Sequence, residues 1–266
     1  MSASGLVHAH FATGDGADIA YRIRRGRDPL VLLHGLGCDA SMWDAVVAAL
    51  PADLGLVLPE NRGHGASTLG WRLPSVDLWA DDVVRLLRQK GIQAPAIAGL
   101  SLGGYTTFAI AAAHPGFARA YAFISTSAAP EDEAGKHRRA AAIAMIRGKG
   151  WRAFADAMIP SLLNDNRPQF ESHREHLLSM FDRAGDSGLP PTLMALAARP
   201  DRRALLLTIR LPTIVIVGAV DALTPPNLAR ALATGISGAR LHVLDDVAHM
   251  SAMEAPQKVA GLLGTL

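Results

Sequence analysis

Gly99-Leu100-Ser101-Leu102-Gly103 is the stretch on which the fold turns. The apolar residues 94–98 before it read as a strand, and residues 102–113 after it read as a helix closed by His114-Pro115. Alone, such a pentapeptide is only a turn of small residues. Between a strand and a helix it is a nucleophile elbow: the serine occupies a strained turn, and the flanking glycines remove side chains that would strike neighbouring backbone. The helix N-terminus then offers backbone N–H groups and a positive dipole end to whatever the hydroxyl attacks. Ser101 is thereby the candidate nucleophile.

On both sides of the elbow, strands and helices alternate. Residues 6–12 and 19–24 predict a hairpin around Thr13-Gly14-Asp15-Gly16. Residues 29–33 are apolar without alternation, as expected of a strand covered on both faces. Ser41 is expected to cap a short helix running to Leu50. Residues 55–58, 121–124, 213–217 and 241–244 supply further strands, and residues 76–90 and 252–263 helices. In the first of these helices Asp81 and Asp82 come early and Arg85, Arg88 and Lys90 late, which suits the dipole, and Gly91 ends it. The pattern predicts an α/β fold, a mostly parallel sheet with helices on both faces.

Between about Ala128 and Arg203 no buried strand is legible. Residues 137–145, 151–158 and 172–181 read as helices, punctuated by Pro160, Pro168 and Pro190-Pro191. The chain is therefore expected to divide into core residues 1–127, an inserted helical cap at 128–203, and core residues 204–266. Met158, Leu162, Leu163, Leu177, Leu178, Met180, Phe181 and Met194 are expected to supply the inner face of the cap.

A serine hydroxyl needs a base to take its proton. Of ten histidines, His249 has the right address, since Asp245-Asp246-Val247-Ala248-His249 follows the last predicted strand and precedes the final helix. An elbow delivers its partners in the chain order serine, acid, histidine. The acid is then Asp221, in the loop Gly218-Ala219-Val220-Asp221 at the carboxyl end of a parallel strand, where catalytic groups collect. Asp245 and Asp246 share the loop of His249 and are set aside. The developing oxyanion requires donors: one is the backbone N–H of Leu102, the other that of Leu36 in His34-Gly35-Leu36-Gly37. His34 itself is given a structural role.

These motifs, with Arg62-Gly63-His64-Gly65-Ala66-Ser67, Thr224-Pro225-Pro226 and Glu254-Ala255-Pro256, resemble the α/β-hydrolase superfamily over nearly the whole chain. The segment around His64 mostly shapes a loop in that family, so His64 is not counted as catalytic. Two departures stand out: Glu60 where aspartate is usual, and Val247-Ala248 before the histidine. Gly104 after the elbow, Ser125-Thr126-Ser127-Ala128 and Arg138-Arg139 look like small esterases and enol-lactonases of the 3-oxoadipate type. A serine at the nucleophile position argues against haloalkane dehalogenases and epoxide hydrolases, which carry aspartate there.

Composition narrows the partners. Formal net charge is +2, from 26 basic and 24 acidic residues, too small to draw nucleic acid or an anionic membrane surface. There is no G-x-G-x-x-G, H-E-x-x-H or C-x-x-C, so neither a dinucleotide nor a metal is expected and no cofactor is required. Residues 1–11 do not read as a signal peptide, and no apolar run approaches the length of a bilayer span. The single cysteine, Cys38, excludes an internal disulfide and reads as a small buried hydrophobe; the cytoplasm is the expected compartment. The expected activity is hydrolysis of a small to medium ester, thioester or lactone through an acyl-enzyme on Ser101. The alternative is a ligand receptor or regulator, or a lyase or cofactor-free oxygenase using His249 as base.

Overall fold

The computed structural model describes residues 5–266, so the first four residues of the segment read for a signal peptide lie outside it. Strand β1 (Val7–Ala12) and β2 (Asp18–Arg24) form the expected hairpin, closed by Thr13 N–H donating to Ala17 O at 2.8 Å. β3 (Arg27–Leu33) explains why its apolar run does not alternate. Leu30 and Leu32 enter one core cluster, Val31 and Leu33 the other. With β4 (Leu54–Pro59), β5 (Ala96–Leu100), β6 (Ala120–Ile124), β7 (Thr213–Gly218) and β8 (Arg240–Leu244), these strands make one sheet. Its order is β1-β2-β4-β3-β5-β6-β7-β8, antiparallel up to the β2–β4 pair and parallel thereafter.

Helices cover both faces. α1 (Asp44–Ala49), α8 (Ser251–Glu254) and α9 (Pro256–Leu263) pack into the cluster of Leu30 and Leu32. α2 (Val76–Gln89), α3 (Leu102–Ala113) and α7 (Pro226–Gly235), the last not foreseen, pack into that of Val31 and Leu33. The predicted final helix is interrupted because Ala255 leaves helical geometry and Pro256, lacking an N–H, starts afresh. The helix after β3 is capped by Asp39, whose carboxylate accepts from Ser41 N at 2.8 Å, rather than by Ser41. Asp82 does more than meet a dipole. It shares the buried guanidinium of Arg62 with Asp15, at 2.6 and 2.5 Å, tying the β1–β2 turn, the β4 loop and α2 together.

Between β6 and β7 stand only helices and turns: α4 (Glu133–Lys149), α5 (Trp151–Leu162) and α6 (Phe170–Ala197), followed by a 3-10 turn at Arg203–Thr208. α6 breaks at Gly185, whose φ of 56° and ψ of −167° are not helical. Pro190 and Pro191 follow that break inside the resumed helix, so they do not end the segment as their sequence suggests. Leu162, Leu163, Leu177, Leu178, Met180 and Phe181 are buried in the cluster shared with α1 and α9, and Met158 packs beside it half-buried. Met194 departs from expectation: it is 51% exposed on the outside of the resumed helix. Among the described residues no helix is long and apolar enough to cross a membrane.

Candidate active site

Ser101 joins β5 to α3 with φ 55° and ψ −111°, a conformation that costs a residue with a side chain roughly 1–3 kcal/mol. Its neighbours hold it there. Its N–H donates to Ile124 O at 2.9 Å, and its carbonyl accepts from Thr126 Oγ1 at 2.9 Å. The glycines on either side answer to close approach: a side-chain carbon at Gly99 would lie 2.1 Å from Gly103 O, and one at Gly103 2.2 Å from Leu33 O. Ser101 is half-buried, and its hydroxyl has no hydrogen-bond partner among the described residues.

The acid and the histidine meet from adjacent strands. Asp221 follows β7 and His249 follows β8, and His249 Nδ1 lies 3.0 Å from both carboxylate oxygens. Both residues are buried. Asp221 Oδ1 also accepts from the N–H groups of Leu223 and Thr224 at 3.0 and 2.9 Å, and Oδ2 from Thr224 Oγ1 at 2.7 Å. Burial alone would raise the Asp221 carboxyl, but the contact with His249 and the Thr224 donors hold it below the usual carboxylate range. The carboxylate accepting at Nδ1 leaves Nε2 as the face of the ring available for a proton transfer.

Gly218 lets the two loops touch, since a side-chain carbon there would stand 2.1 Å from Val247 O. Val220 N–H donates to that same carbonyl at 3.1 Å, and Ala219 N–H to Leu244 O at 2.8 Å. Glu254 secures the His249 loop from below: its carboxylate accepts from Ala248 N and from Asn164 N, each at 2.6 Å. Burial pushes the Glu254 carboxyl up, against the pull of these two amides. Arg167 donates to Asp246 O at 2.9 Å and to Glu254 O at 2.6 Å, so the turn between α5 and α6 is stitched directly to the histidine loop. Thr224 and Glu254 were visible only as members of motifs; the signal for their roles is their fixed offset from Asp221 and His249.

On the other side of the elbow runs His34-Gly35-Leu36-Gly37. A side-chain carbon at Gly35 would lie 3.8 Å from Ser101 Cβ, so this loop rests against the serine. The N–H groups of Leu36 and Leu102 have no protein acceptor among the described residues. Just beyond, Asp39 accepts from Arg183 of α6 at 2.6 Å, and Ser41 Oγ lies 3.0 Å from His176 Nε2, also on α6. Cys38, next to Asp39 in the chain, is buried, and burial pushes its thiol far up.

The structure therefore groups Asp221 with His249 in direct contact, sets Ser101 two strands away at the carboxyl end of β5, and lays Leu36 beside it. No hydrogen bond joins Ser101 Oγ to His249 in this state. Among the described residues no cluster of His, Cys, Asp and Glu has the makings of a metal site.

The family model described as "Alpha/beta hydrolase family" matches residues 30–262. The chain belongs to the alpha/beta hydrolase family. It is 30% identical over 251 residues to a pimeloyl-[acyl-carrier protein] methyl ester esterase of Aromatoleum aromaticum, spanning 89% of this chain and 97% of that one. In structure it is similar to a thermophilic esterase from Thermogutta terrifontis, with a TM-score of 0.88, 28% identity and coverage of 97% and 96%. An enol-lactonase from Burkholderia xenovorans LB400 superposes with a TM-score of 0.87 at 28% identity, covering 96% of this hydrolase and 98% of the lactonase. The relatives named here are, by those names, two esterases and an enol-lactonase.

Proposed function

We propose that the protein cleaves a small to medium carboxylic ester, thioester or lactone through an acyl-enzyme on Ser101. The observation that carries this reading is the strained Ser101 elbow beside a buried His249–Asp221 pair, all at the carboxyl ends of parallel strands. His249 Nε2 takes the proton of Ser101 Oγ as that oxygen attacks the carbonyl carbon. Hydrogen bonds of this kind commonly close only when substrate arrives. The carbonyl oxygen, now an oxyanion, is held by the N–H groups of Leu36 and Leu102. The alkoxide leaves with the proton from His249, and water deprotonated by His249 then releases the acid. Asp221 keeps the imidazole in the tautomer with hydrogen on Nδ1 and stabilises the imidazolium.

The helical insertion serves as the cap: its inner face is apolar, which suits the hydrocarbon part of an ester. The substrate is a small molecule, and no cofactor takes part in these steps. Hydrolysis of p-nitrophenyl acetate, butyrate, hexanoate and octanoate by the wild-type protein and by Ser101→Ala tests the reading. The expected result is turnover by the wild type, with a preference among chain lengths, and a loss of several orders of magnitude in the variant. Comparable turnover by both proteins would instead favour His249 acting as base without an acyl-enzyme.

A further inference from the structure

Two buried histidines cross-link the loop that carries Leu36. His34 follows β3 directly and His64 lies in the loop after β4; both rings are fully buried, with centroids 5.2 Å apart. His34 Nδ1 lies 2.8 Å from Gly35 O, and its Nε2 receives Asn61 N–H at 2.9 Å. His64 Nδ1 lies 3.2 Å from Arg62 O, and its Nε2 receives Gly37 N–H at 3.2 Å. A carbonyl only accepts and an amide N–H only donates, so both rings must be neutral with hydrogen on Nδ1. Each histidine thus accepts from the other's loop. Burial lowers both imidazoles, His64 to about 3, with Asp39 and Glu60 the carboxylates facing the pair, which keeps the Nε2 lone pairs in place at neutral pH.

The geometry of the peptide unit gives this arrangement a purpose. Gly35 C=O and Leu36 N–H belong to one planar trans peptide, so they point in opposite directions. Fixing the carbonyl fixes the N–H. Gly35 O is held by His34 Nδ1–H and by Cys38 N–H at 3.2 Å, and His64 holds the next peptide through Gly37 N–H. Donors on the carbonyl also polarise the N–H at the far end of the same peptide. The receiving loop is itself anchored, because the Arg62 side chain pairs with both Asp15 and Asp82.

We propose that His34 and His64 are positioning residues that aim the Leu36 N–H at the oxyanion through this crossed pair of hydrogen bonds. The inference rests on the reading of Leu36 as an oxyanion donor. Four variants test it: His34→Leu, His34→Gln, His64→Leu and His64→Gln, assayed on p-nitrophenyl butyrate beside the wild type and Ser101→Ala. Leucine removes the contacts, and each leucine variant is expected to lose about 10- to 100-fold in kcat with KM within a few-fold, because a misaimed donor fails chiefly in the transition state. Glutamine, which offers both a donor and an acceptor, is expected to recover part of that loss. Leucine variants that melt as the wild type does and keep its kcat would overturn the proposal. A parallel rise in KM and loss of melting temperature, with no rescue by glutamine, would do the same.

A second measurement needs no activity and no variant. Long-range proton–nitrogen spectra of the wild-type protein labelled at histidine should show His34 and His64 protonated at Nδ1 alone between about pH 6 and 8, below which ordinary histidines charge. Hydrogen on Nε2 of either ring would overturn the clamp. Absence of Ser101-dependent turnover in the wild type would instead sink the hydrolase reading on which the inference stands.

Discussion

The loops at the carboxyl edge of the sheet and the helices that cover them hold their residues by different means. Ser101 is fixed by buried partners: its amide donates to Ile124 O, its carbonyl accepts from the Thr126 hydroxyl, and the flanking glycines allow main chain to touch main chain. The Leu36 loop is held by the Cys38 N–H on Gly35 O and by the fully buried imidazoles of His34 and His64, and the Asp221 and His249 loops meet at Val247 O. The insertion shares an apolar core with the face of α1 and α9, and near the site it is anchored mainly by part-exposed polar side chains: Arg183 on Asp39, His176 beside Ser41, and Arg167 and Asn164 on Asp246 O, with one backbone bond from Met250 N–H to Leu162 O. Fully buried anchors admit few substitutions, whereas part-exposed side-chain contacts can be changed one at a time. On the proposed mechanism the sheet edge sets the chemistry, and the covering helices can be retuned without rebuilding it.

The sharpest break within the sheet edge is Asp221→Asn. The asparagine keeps the shape but not the charge, so kcat for a p-nitrophenyl ester should fall by roughly 10⁴, while the melting temperature changes far less. Glu254→Gln lies on the seam between the two regions. One of its two amide partners would then face an NH₂ group, and a drop of about tenfold in kcat is expected from a displaced His249 loop. Stopped-flow or steady-state kinetics would read it; an unchanged kcat would place the loop's support elsewhere. Arg183→Ala removes an anchor of the insertion alone. It should raise KM for longer acyl chains several-fold with kcat nearly preserved, and an equal fall in kcat for all chain lengths would contradict the division drawn here.

How much of this was legible beforehand follows the same division. The sheet, the elbow and the assignment of Asp221 and His249 to successive strand ends could be read because each is a local signal: an apolar run, a glycine turn, a chain order. The insertion's extent was read from the absence of such signals, and its details failed where local rules conflict. Pro190-Pro191 looked terminal but follow a break made by Gly185, and Met194 looked internal but faces out. Thr224, Glu254 and the His34–His64 pair escaped because their meaning lies in contacts between separate loops. Gly37 meets His64 across 27 positions and Asn164 meets Glu254 across 90.

Acid should expose the polar ties before it reaches the apolar core. The contact with Arg62 holds the Asp15 carboxyl well below its ordinary range; Asp39, despite its burial, is held down by Arg183 and Ser41. A carboxyl depressed in the folded state contributes stability above its unfolded value, here 3.8, and that contribution is lost as pH falls through the folded one. Melting temperature should therefore decline below about pH 4, and Asp15→Asn should flatten that decline. The smallest effect concerns Cys38: buried and with its thiol pushed up, it should resist a thiol reagent in the native state and react once unfolded.

The most direct measurement is intact-protein mass spectrometry after a fluorophosphonate, followed by peptide mapping. The account predicts one adduct, on Ser101, and none in Ser101→Ala. Folded wild-type protein that hydrolyses esters but is never labelled at Ser101, or a Ser101→Ala variant labelled as fast as the wild type, would contradict it.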